Sequence, residues 1–186
     1  QNLLNPTFSR YQIGQVFRGE NPQHGRYREF TQFDFDTVGS TDLEEDAKII
    51  ACAIIAARKL GLKKSRMAIN DRKNFEGIPA EAIRSFDKIH KIQQSGVEEE
   101  LKNKGFDSKK IKDFINRLLG ENKTSDMLKL EKLLEKHNDD ENTPIKWNTH
   151  FYFDSSLARG LDYYTGLIFE LKMEGDLKLS YGAGGR

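Results

Sequence analysis

The fold is decided by the stretch Gln15–Gly39, QVFRGENPQHGRYREFTQFDFDTVG, which predicts two β-strands joined by a loop. The first arm, Tyr11–Arg18, alternates weakly between apolar and polar residues. The connector, Gly19–Gly25, contains an Asn-Pro step and two glycines, which are typical of turns. The second arm, Tyr27–Val38, is rich in aromatic and β-branched residues and predicts a strand.

The second arm has one polar face and one apolar face. Because side chains alternate along a strand, Gln32, Asp34 and Asp36 share a face with Phe30. The opposite face holds Thr31, Phe33, Phe35 and Thr37. Alternation by itself fits a strand with one solvated face. Three arginines flank the loop: Arg18, Arg26 and Arg28. Planar guanidinium groups beside an aromatic ring and carboxylates favour a ligand with a flat ring, phosphates and an amine.

Length and charge limit the classes of protein. The 186 residues fit one domain, or a domain with a small insertion, and no apolar run approaches the roughly 20 residues of a membrane span. Lys and Arg number 30 and Asp and Glu 29, so net charge does not indicate nucleic acid, and an RNA contact needs a local patch. The single cysteine, Cys52, cannot form an internal disulfide, which favours a reducing compartment. Its apolar neighbours predict that it is buried in a helix.

A helix is predicted after the hairpin. Thr41 and Glu44 have the spacing of a capping box. Apolar residues then recur at helical spacing as far as Leu60, and Gly61 predicts the helix end. Further strands are predicted at Arg66–Asn70, His150–Asp154, Gly166–Met173 and Leu177–Tyr181.

The composition changes between residues 79 and 145, where Lys and Glu are frequent and β-branched residues are few. Helices are predicted at Ala80–Gln94, Val97–Lys104, Ser108–Leu119 and Ser125–His137. The sequence therefore predicts an α+β fold, an antiparallel sheet flanked by helices, in which a small helical insertion (79–145) interrupts a core formed by residues 1–78 and 146–186. The acidic run Asp139–Asn142 is interpreted as a solvated linker, because it lacks the spacing and glycine of a calcium loop. We predict no metal site in the protein.

A second motif joins two of the predicted strands. Ala158–Thr165, ARGLDYYT, places a cation, a carboxylate and two phenols in a short bend. From composition alone, this segment fits a polar corner of the fold as well as a binding site. Asp162 can cap the turn, and one tyrosine can pack in the core.

Both motifs resemble those of one enzyme family. VFRGENPQHGRYREF followed by TQFDFD resembles motif 2 of the class II aminoacyl-tRNA synthetases, in the form found in histidyl-tRNA synthetases. RGLDYYTG is similar to the histidine-specific signature of those enzymes, and YGAGGR is similar to the glycine-rich strand that follows it. A class II synthetase of another specificity would share motif 2 but not RGLDYYT. The resemblance implies the class II catalytic core.

The resemblance implies that histidine is activated with ATP to histidyl-adenylate and transferred to tRNA(His) in protein biosynthesis. Arg18 and Arg159 would be the catalytic residues at the α-phosphate. Arg18 would also belong to the ATP site, where Glu20 would face the adenine edge, Arg26 would meet the γ-phosphate and Phe30 would stack on the adenine. Mg²⁺ would accompany ATP.

The same resemblance implies a pocket for the substrate histidine. Its residues would be Gln32, Asp36, Tyr163 and Tyr164. Asp36 would accept a hydrogen bond from the imidazole, and the two tyrosines would line the pocket. Some family members carry Glu at the position of Asp36, so the reach of this side chain is shorter here.

Motif 1, the upstream loop for the amino group, motif 3 and the anticodon-binding domain have no counterpart in the sequence. We therefore expect a catalytic-core fragment with reduced or no aminoacylation activity by itself. The resemblance implies histidine, ATP and tRNA(His) as partners, a homodimer for the full-length protein, and no membrane. We expect a cytoplasmic location, and an organellar one stays open.

Two other interpretations compete with this one. A non-catalytic paralogue, such as the regulatory subunit of ATP phosphoribosyltransferase, would bind histidine without activating it. Arg18, Arg26 and Arg159 argue against that interpretation, because a regulator has no need of arginines that clamp phosphates. The other interpretation is an α+β domain whose polar strand face is only solvated.

Overall fold

The structure, a computed structural model, describes residues 7–19, 21–23, 25–120, 122–159 and 163–186. The strands are β1 (Phe8–Phe17), β2 (Glu29–Val38), β3 (Ser65–Asp71), β4 (Phe151–Phe153), β5 (Leu167–Met173) and β6 (Asp176–Gly185). The helices are α1 (Leu43–Lys59), α2 (Ala80–Phe86), α3 (Ile89–Asn103), α4 (Ser108–Leu119) and α5 (Ser125–Leu134), with a 3-10 turn at Arg72–Phe75.

Within the described residues the strands form two sheets. β1 and β2 pair as the predicted antiparallel hairpin, with Arg10 opposite Asp36 and Gly14 opposite Gln32. The second sheet has the order β4-β3-β5-β6. It is antiparallel except for β3 and β4, which run parallel because the helices α2–α5 form the crossover between them. The predicted fold class is confirmed, with this parallel pair as an added feature.

Helices cover both faces of the second sheet. Met67, Ile69 and Phe169 on one face pack with α1 and α5. Ala68 and Ile168 on the other face pack with α2, α3 and α4. The boundaries of the insertion at 79 and 145 remain a prediction. The helices inside that segment, however, share their hydrophobic cores with the sheet.

Helix ends differ from the prediction in several places, and the helix predicted at Ala80–Gln94 is divided between α2, which ends at Phe86, and α3, which begins at Ile89. α1 begins at Leu43, and its N-cap, Asp42, makes no side-chain capping bond in the described part of the chain, so the predicted capping box was wrong. The carbonyl of Thr41 instead accepts a hydrogen bond from Arg186, at 2.7 Å. Gly96 lies between the helices predicted at Ala80–Gln94 and Val97–Lys104 and was expected to separate them. α3 continues through it, and the kink lies at Gln93, whose φ is +61°.

The helix face that bears Cys52 was also predicted wrongly. Cys52 is exposed, because the buried stripe of α1 follows other positions. The buried residues of α1 are Asp46, Ala47, Ile50, Ala51, Ile54 and Ala57. Within the described residues, no helix is both long enough and apolar enough to cross a membrane.

The acidic run after α5 is not a solvated linker. Asp139 is buried and accepts hydrogen bonds from the amides of Glu141 and Thr143, at 2.9 Å each, and it lies 3.1 Å from His150 Nε2. Arg58, in the last turn of α1, is 3.4 Å from the same carboxylate. Burial by itself would raise the pKa of Asp139, but these partners hold it well below its usual range. The run therefore links the segment that precedes β4 to the last turn of α1.

A carboxylate on α3 makes stability depend on pH. Glu100 accepts hydrogen bonds from Lys104 and Lys88, at 2.8 Å each, and these lower its pKa from 4.5 to about 2. A lowered pKa adds stability above pH 4.5 that is lost as pH falls toward 2.

We expect Glu100→Gln to lower the free energy of unfolding by about 1 kcal/mol at neutral pH and by less at pH 2. The exposed neighbour Glu99 provides the control, Glu99→Gln. Urea titrations at both pH values measure the effect, and equal losses at the two values would contradict it.

Candidate active site

A chain of hydrogen bonds runs along the polar face of the hairpin. Arg18 Nη2 donates to Gln32 Oε1 at 2.9 Å, and Gln32 Nε2 donates to the two oxygens of Asp34 at 2.8 and 2.9 Å. The guanidinium carbon of Arg18 also lies 4.6 Å from the centre of the half-buried Phe30 ring. Three predicted site residues, Arg18, Gln32 and Phe30, thus form one group. Asp34, which had no predicted role, fixes the orientation of the Gln32 amide.

Asp36 has a partner that the sequence did not predict. Arg10 Nη2 lies 2.8 Å from Asp36 Oδ2, and Arg10 Nε donates to the same oxygen at 3.0 Å. The hairpin register places these residues directly opposite each other. That register was the available signal, because opposite charges at paired positions attract. Both side chains are about half exposed, so Asp36 keeps a face open to a ligand.

Tyr164 of the second motif is half-buried. Burial raises the pKa of the Tyr164 phenol, and the neighbouring Tyr163 and Asp36 raise it further, whereas Arg159 opposes them. The Tyr163 and Tyr164 rings meet edge to face, with centres 5.1 Å apart. Tyr163 is 82% exposed, so it lies at the rim of this group.

A carboxylate of the second sheet holds the guanidinium of Arg159. Its Nη2 lies 2.9 Å from Glu170 Oε1, and Glu170 is only 5% exposed, in the middle of β5. Sequence reasoning missed Glu170, because a charged residue in an alternating strand is normally assigned to the solvated face. The guanidinium of Arg159 itself is half exposed and open to a ligand.

Two glycines of β6 allow this close packing. A Cβ on Gly185 would lie 2.8 Å from the Tyr164 ring and from the carbonyl of Leu167, and one on Gly184 would lie 2.5 Å from the Phe169 ring. Real Cβ atoms do not make contacts that short, so only glycine fits at these two positions of β6. This accounts for Gly184 and Gly185 in the GAGG sequence at the end of β6.

The tyrosines open onto a cleft of about 440 Å³. Tyr163, Tyr164 and Thr165 form one wall, and the 3-10 turn with the start of α2 forms the other. Lys73, on the second wall, is paired with Asp126 at 2.5 Å. The cleft thus combines aromatic and charged groups beside the second motif.

The remaining predicted residues of the two motifs lie in the hairpin loop or outside the described residues. Arg26 lies at the exposed tip of the hairpin loop, where its amide donates to the carbonyl of Gln23 at 2.9 Å. The loop reaches β6, because a Cβ on Gly25 would meet Leu179 at 2.7 Å. Glu20 and Asp162 lie outside the described residues. In the described ranges, no group of three His, Cys, Asp or Glu side chains is arranged to hold a metal ion.

Comparison with known proteins decides the family. A family model described as Histidyl-tRNA synthetase matches residues 5–186. The chain belongs to the histidyl-tRNA synthetase family. A histidine--tRNA ligase from Helicobacter pylori (strain J99) is 39% identical over 99% of this chain and 48% of the relative. A crystal structure of histidyl-tRNA synthetase from Nostoc sp. PCC 7120 has a TM-score of 0.76 and 27% identity, and the match covers 99% of this chain and 48% of that one.

The chain thus spans about half the length of these members of the histidyl-tRNA synthetase family. A second solved structure shares this fold. A Bacillus halodurans structure described as an ATP phosphoribosyltransferase regulatory subunit/histidyl-tRNA synthetase has a TM-score of 0.68 at 22% identity, over 98% of this chain and 52% of that one. At this identity the likeness shows the fold alone. The family predicted from the two motifs is confirmed.

The glycine contact at Tyr164 can be tested directly. We expect Gly185→Ala to lower the free energy of unfolding by about 1–3 kcal/mol, because the new methyl group overlaps the Tyr164 ring and the Leu167 carbonyl. Gly182→Ala on the same strand is the control, since its Cβ would meet Leu171 at an ordinary 3.9 Å. Urea denaturation of both variants measures the difference. Equal stabilities would contradict the close packing at Gly185.

Proposed function

We propose that this chain carries the site at which histidine and ATP react to form histidyl-adenylate. The proposal is carried by the two guanidinium groups that the motifs provide. Arg18 is held by Gln32 beside the Phe30 ring, and the half-exposed Arg159 is held by Glu170 at 2.9 Å. Both motifs pack on β6, since Gly25 of the hairpin loop lies against Leu179 and Tyr164 lies against Gly185. Family membership supplies the reaction that uses both groups.

The ATP half of the proposed site lies on the hairpin. Phe30 offers a half-buried ring on which adenine stacks, beside the guanidinium of Arg18. Arg18 is assigned to the α-phosphate, Arg26 to the γ-phosphate and Glu20 to the adenine edge. The short bonds from Arg18 to Gln32 and from Gln32 to Asp34 support this assignment, because they orient the Arg18 guanidinium before a ligand binds. Mg²⁺ enters bound to the ATP phosphates, as is usual for this ion.

The reaction requires stabilisation of charge rather than a covalent nucleophile. The carboxylate of histidine attacks the α-phosphorus, and pyrophosphate leaves. Negative charge then accumulates on the oxygens around that phosphorus. Arg18 and Arg159, one from each motif, stabilise this charge from two sides. Each arginine has a fixed neighbour, Gln32 for Arg18 and Glu170 for Arg159.

The histidine half of the proposed site uses Asp36 and the tyrosines. Asp36 accepts a hydrogen bond from one imidazole nitrogen, and the phenol of Tyr164 contacts the imidazole from the opposite side. A phenol is protonated at neutral pH and able to donate, and burial raises the pKa of Tyr164 further. Gln32 contacts the substrate, and Tyr163 covers the rim. A site that holds such polar groups rejects amino acids that leave them unpaired.

We further propose that the activated histidine is transferred to tRNA(His) and that the full-length protein is a homodimer in the cytoplasm. Family membership supports the tRNA. The apolar face of the hairpin supports association with another protein surface, since Tyr11 and Phe17 are more than 70% exposed there. Cys52, the single cysteine of this sequence, supports a reducing compartment.

Exchange of pyrophosphate into ATP tests the proposed reaction. We expect exchange that depends on histidine, slower in this chain than in a full-length relative. Arg159→Ala should reduce it by about 10²–10³-fold, because charge stabilisation at phosphorus is lost. Arg84→Ala, at an exposed position on α2, is the control and should leave the rate unchanged. A protein that binds histidine in calorimetry but shows neither ATP binding nor exchange would support the regulatory interpretation instead.

Asp36 is the second test. We expect Asp36→Ala to weaken histidine binding about tenfold, because a charged hydrogen-bond partner of the imidazole is lost, and to change ATP binding less than about twofold. Asp113→Ala on the exposed side of α4 provides the control. Isothermal titration with each substrate separately gives the two affinities. Unchanged affinity for histidine would refute the role assigned to Asp36.

A further inference from the structure

A cluster of charged side chains is buried in the second sheet beneath Arg159. Glu170 and Lys172 are adjacent same-face residues of β5, and they are 5% and 6% exposed. Buried charges are expensive unless they are paired, so their partners are decisive. Lys172 Nζ lies 3.2 Å from Asp154 Oδ2 and 3.6 Å from Glu170 Oε2. The remaining oxygen of Glu170 contacts Arg159 at 2.9 Å.

The sheet leaves room for this arrangement at Glu170. The strand partners of Glu170 are Ala68 on β3 and Ala183 on β6. Both cross-strand neighbours of Glu170 therefore carry only a methyl group, which cannot form a hydrogen bond with the carboxylate. Arg159 directly follows the buried Leu157 and Ala158, and its guanidinium contacts the carboxylate of Glu170.

The charges balance within the cluster. Asp154 and Glu170 contribute two negative charges, and Lys172 and Arg159 contribute two positive charges. Asp154 is fixed in turn by the amide of Ser156, which donates to Oδ1 at 3.0 Å. Lys172 thus gives Glu170 a second cationic neighbour besides Arg159.

We propose that Glu170 is a positioning residue for Arg159. It holds one edge of the guanidinium, and the half-exposed remainder keeps its N–H groups directed at the α-phosphate. This inference rests on the proposed function. It assigns to the chemistry a residue that touches neither histidine nor ATP and acts through Arg159.

Glu170→Gln tests the proposal, because it keeps the shape and removes the charge. We expect kcat for histidine-dependent exchange to fall about 10- to 100-fold with little change in KM for histidine, since a misplaced catalytic group affects mainly the reaction step. Glu174→Gln, exposed beyond the end of β5, is the matched control and should keep the wild-type rate. In an Arg159→Ala background, Glu170→Gln should cause no further loss. A full additional loss there, or a wild-type kcat in the single variant, would overturn the proposal.

A second measurement does not depend on activity. Nitrogen-15 NMR of the guanidinium groups, with the Arg159 signals identified by their loss in Arg159→Lys, reports rotation of the Arg159 Nη groups. We expect slow rotation in the wild-type chain and faster rotation in Glu170→Gln. If the rotation is equal in the two proteins, the positioning role is refuted even when exchange is observed. If exchange is absent but rotation differs, the proposed function fails and the contact between Glu170 and Arg159 stands.

Discussion

The burial of β5 on both faces is the constraint on which the rest of the structure depends. Leu167, Phe169 and Leu171 enter one core, whereas Ile168 enters the other. The remaining same-face positions, Glu170 and Lys172, must then be buried as charges. Their burial is tolerated because they pair with each other, with Asp154 before the second motif and with Arg159 within it. The strand that supports the sheet therefore also supports Arg159.

The same constraint shapes β6 and the approach of Tyr164. β6 lies close against β5, and only glycine fits where the Phe169 and Tyr164 rings meet its backbone. The Tyr164 ring is thereby packed against the backbone of β6. The hairpin loop reaches the same strand, because a Cβ on Gly25 would meet Leu179 at 2.7 Å. The two arginines assigned to phosphate are each anchored by a different neighbour before any ligand binds.

Local patterns were sufficient for much of this fold. Alternation and turn residues predicted the hairpin, and apolar spacing predicted α1, with Gly61 at its end in the left-handed region. The motifs gave the family, and Arg18, Gln32 and Phe30 lie together as one group. Interactions that need tertiary information were missed. Arg10 opposite Asp36 requires the strand register, and Glu170 beneath Arg159 requires the fold of the turn. Asp139 looked like part of a solvated run until Arg58 and His150 were placed around it.

A crystal structure of this chain with a non-hydrolysable analogue of histidyl-adenylate tests the central claim most directly. The account predicts that Arg18 and Arg159 contact the same phosphate, that the adenine lies on Phe30, and that the imidazole lies between Asp36 and Tyr164. An analogue bound away from the hairpin, or a phosphate that contacts only one of the two arginines, would contradict it.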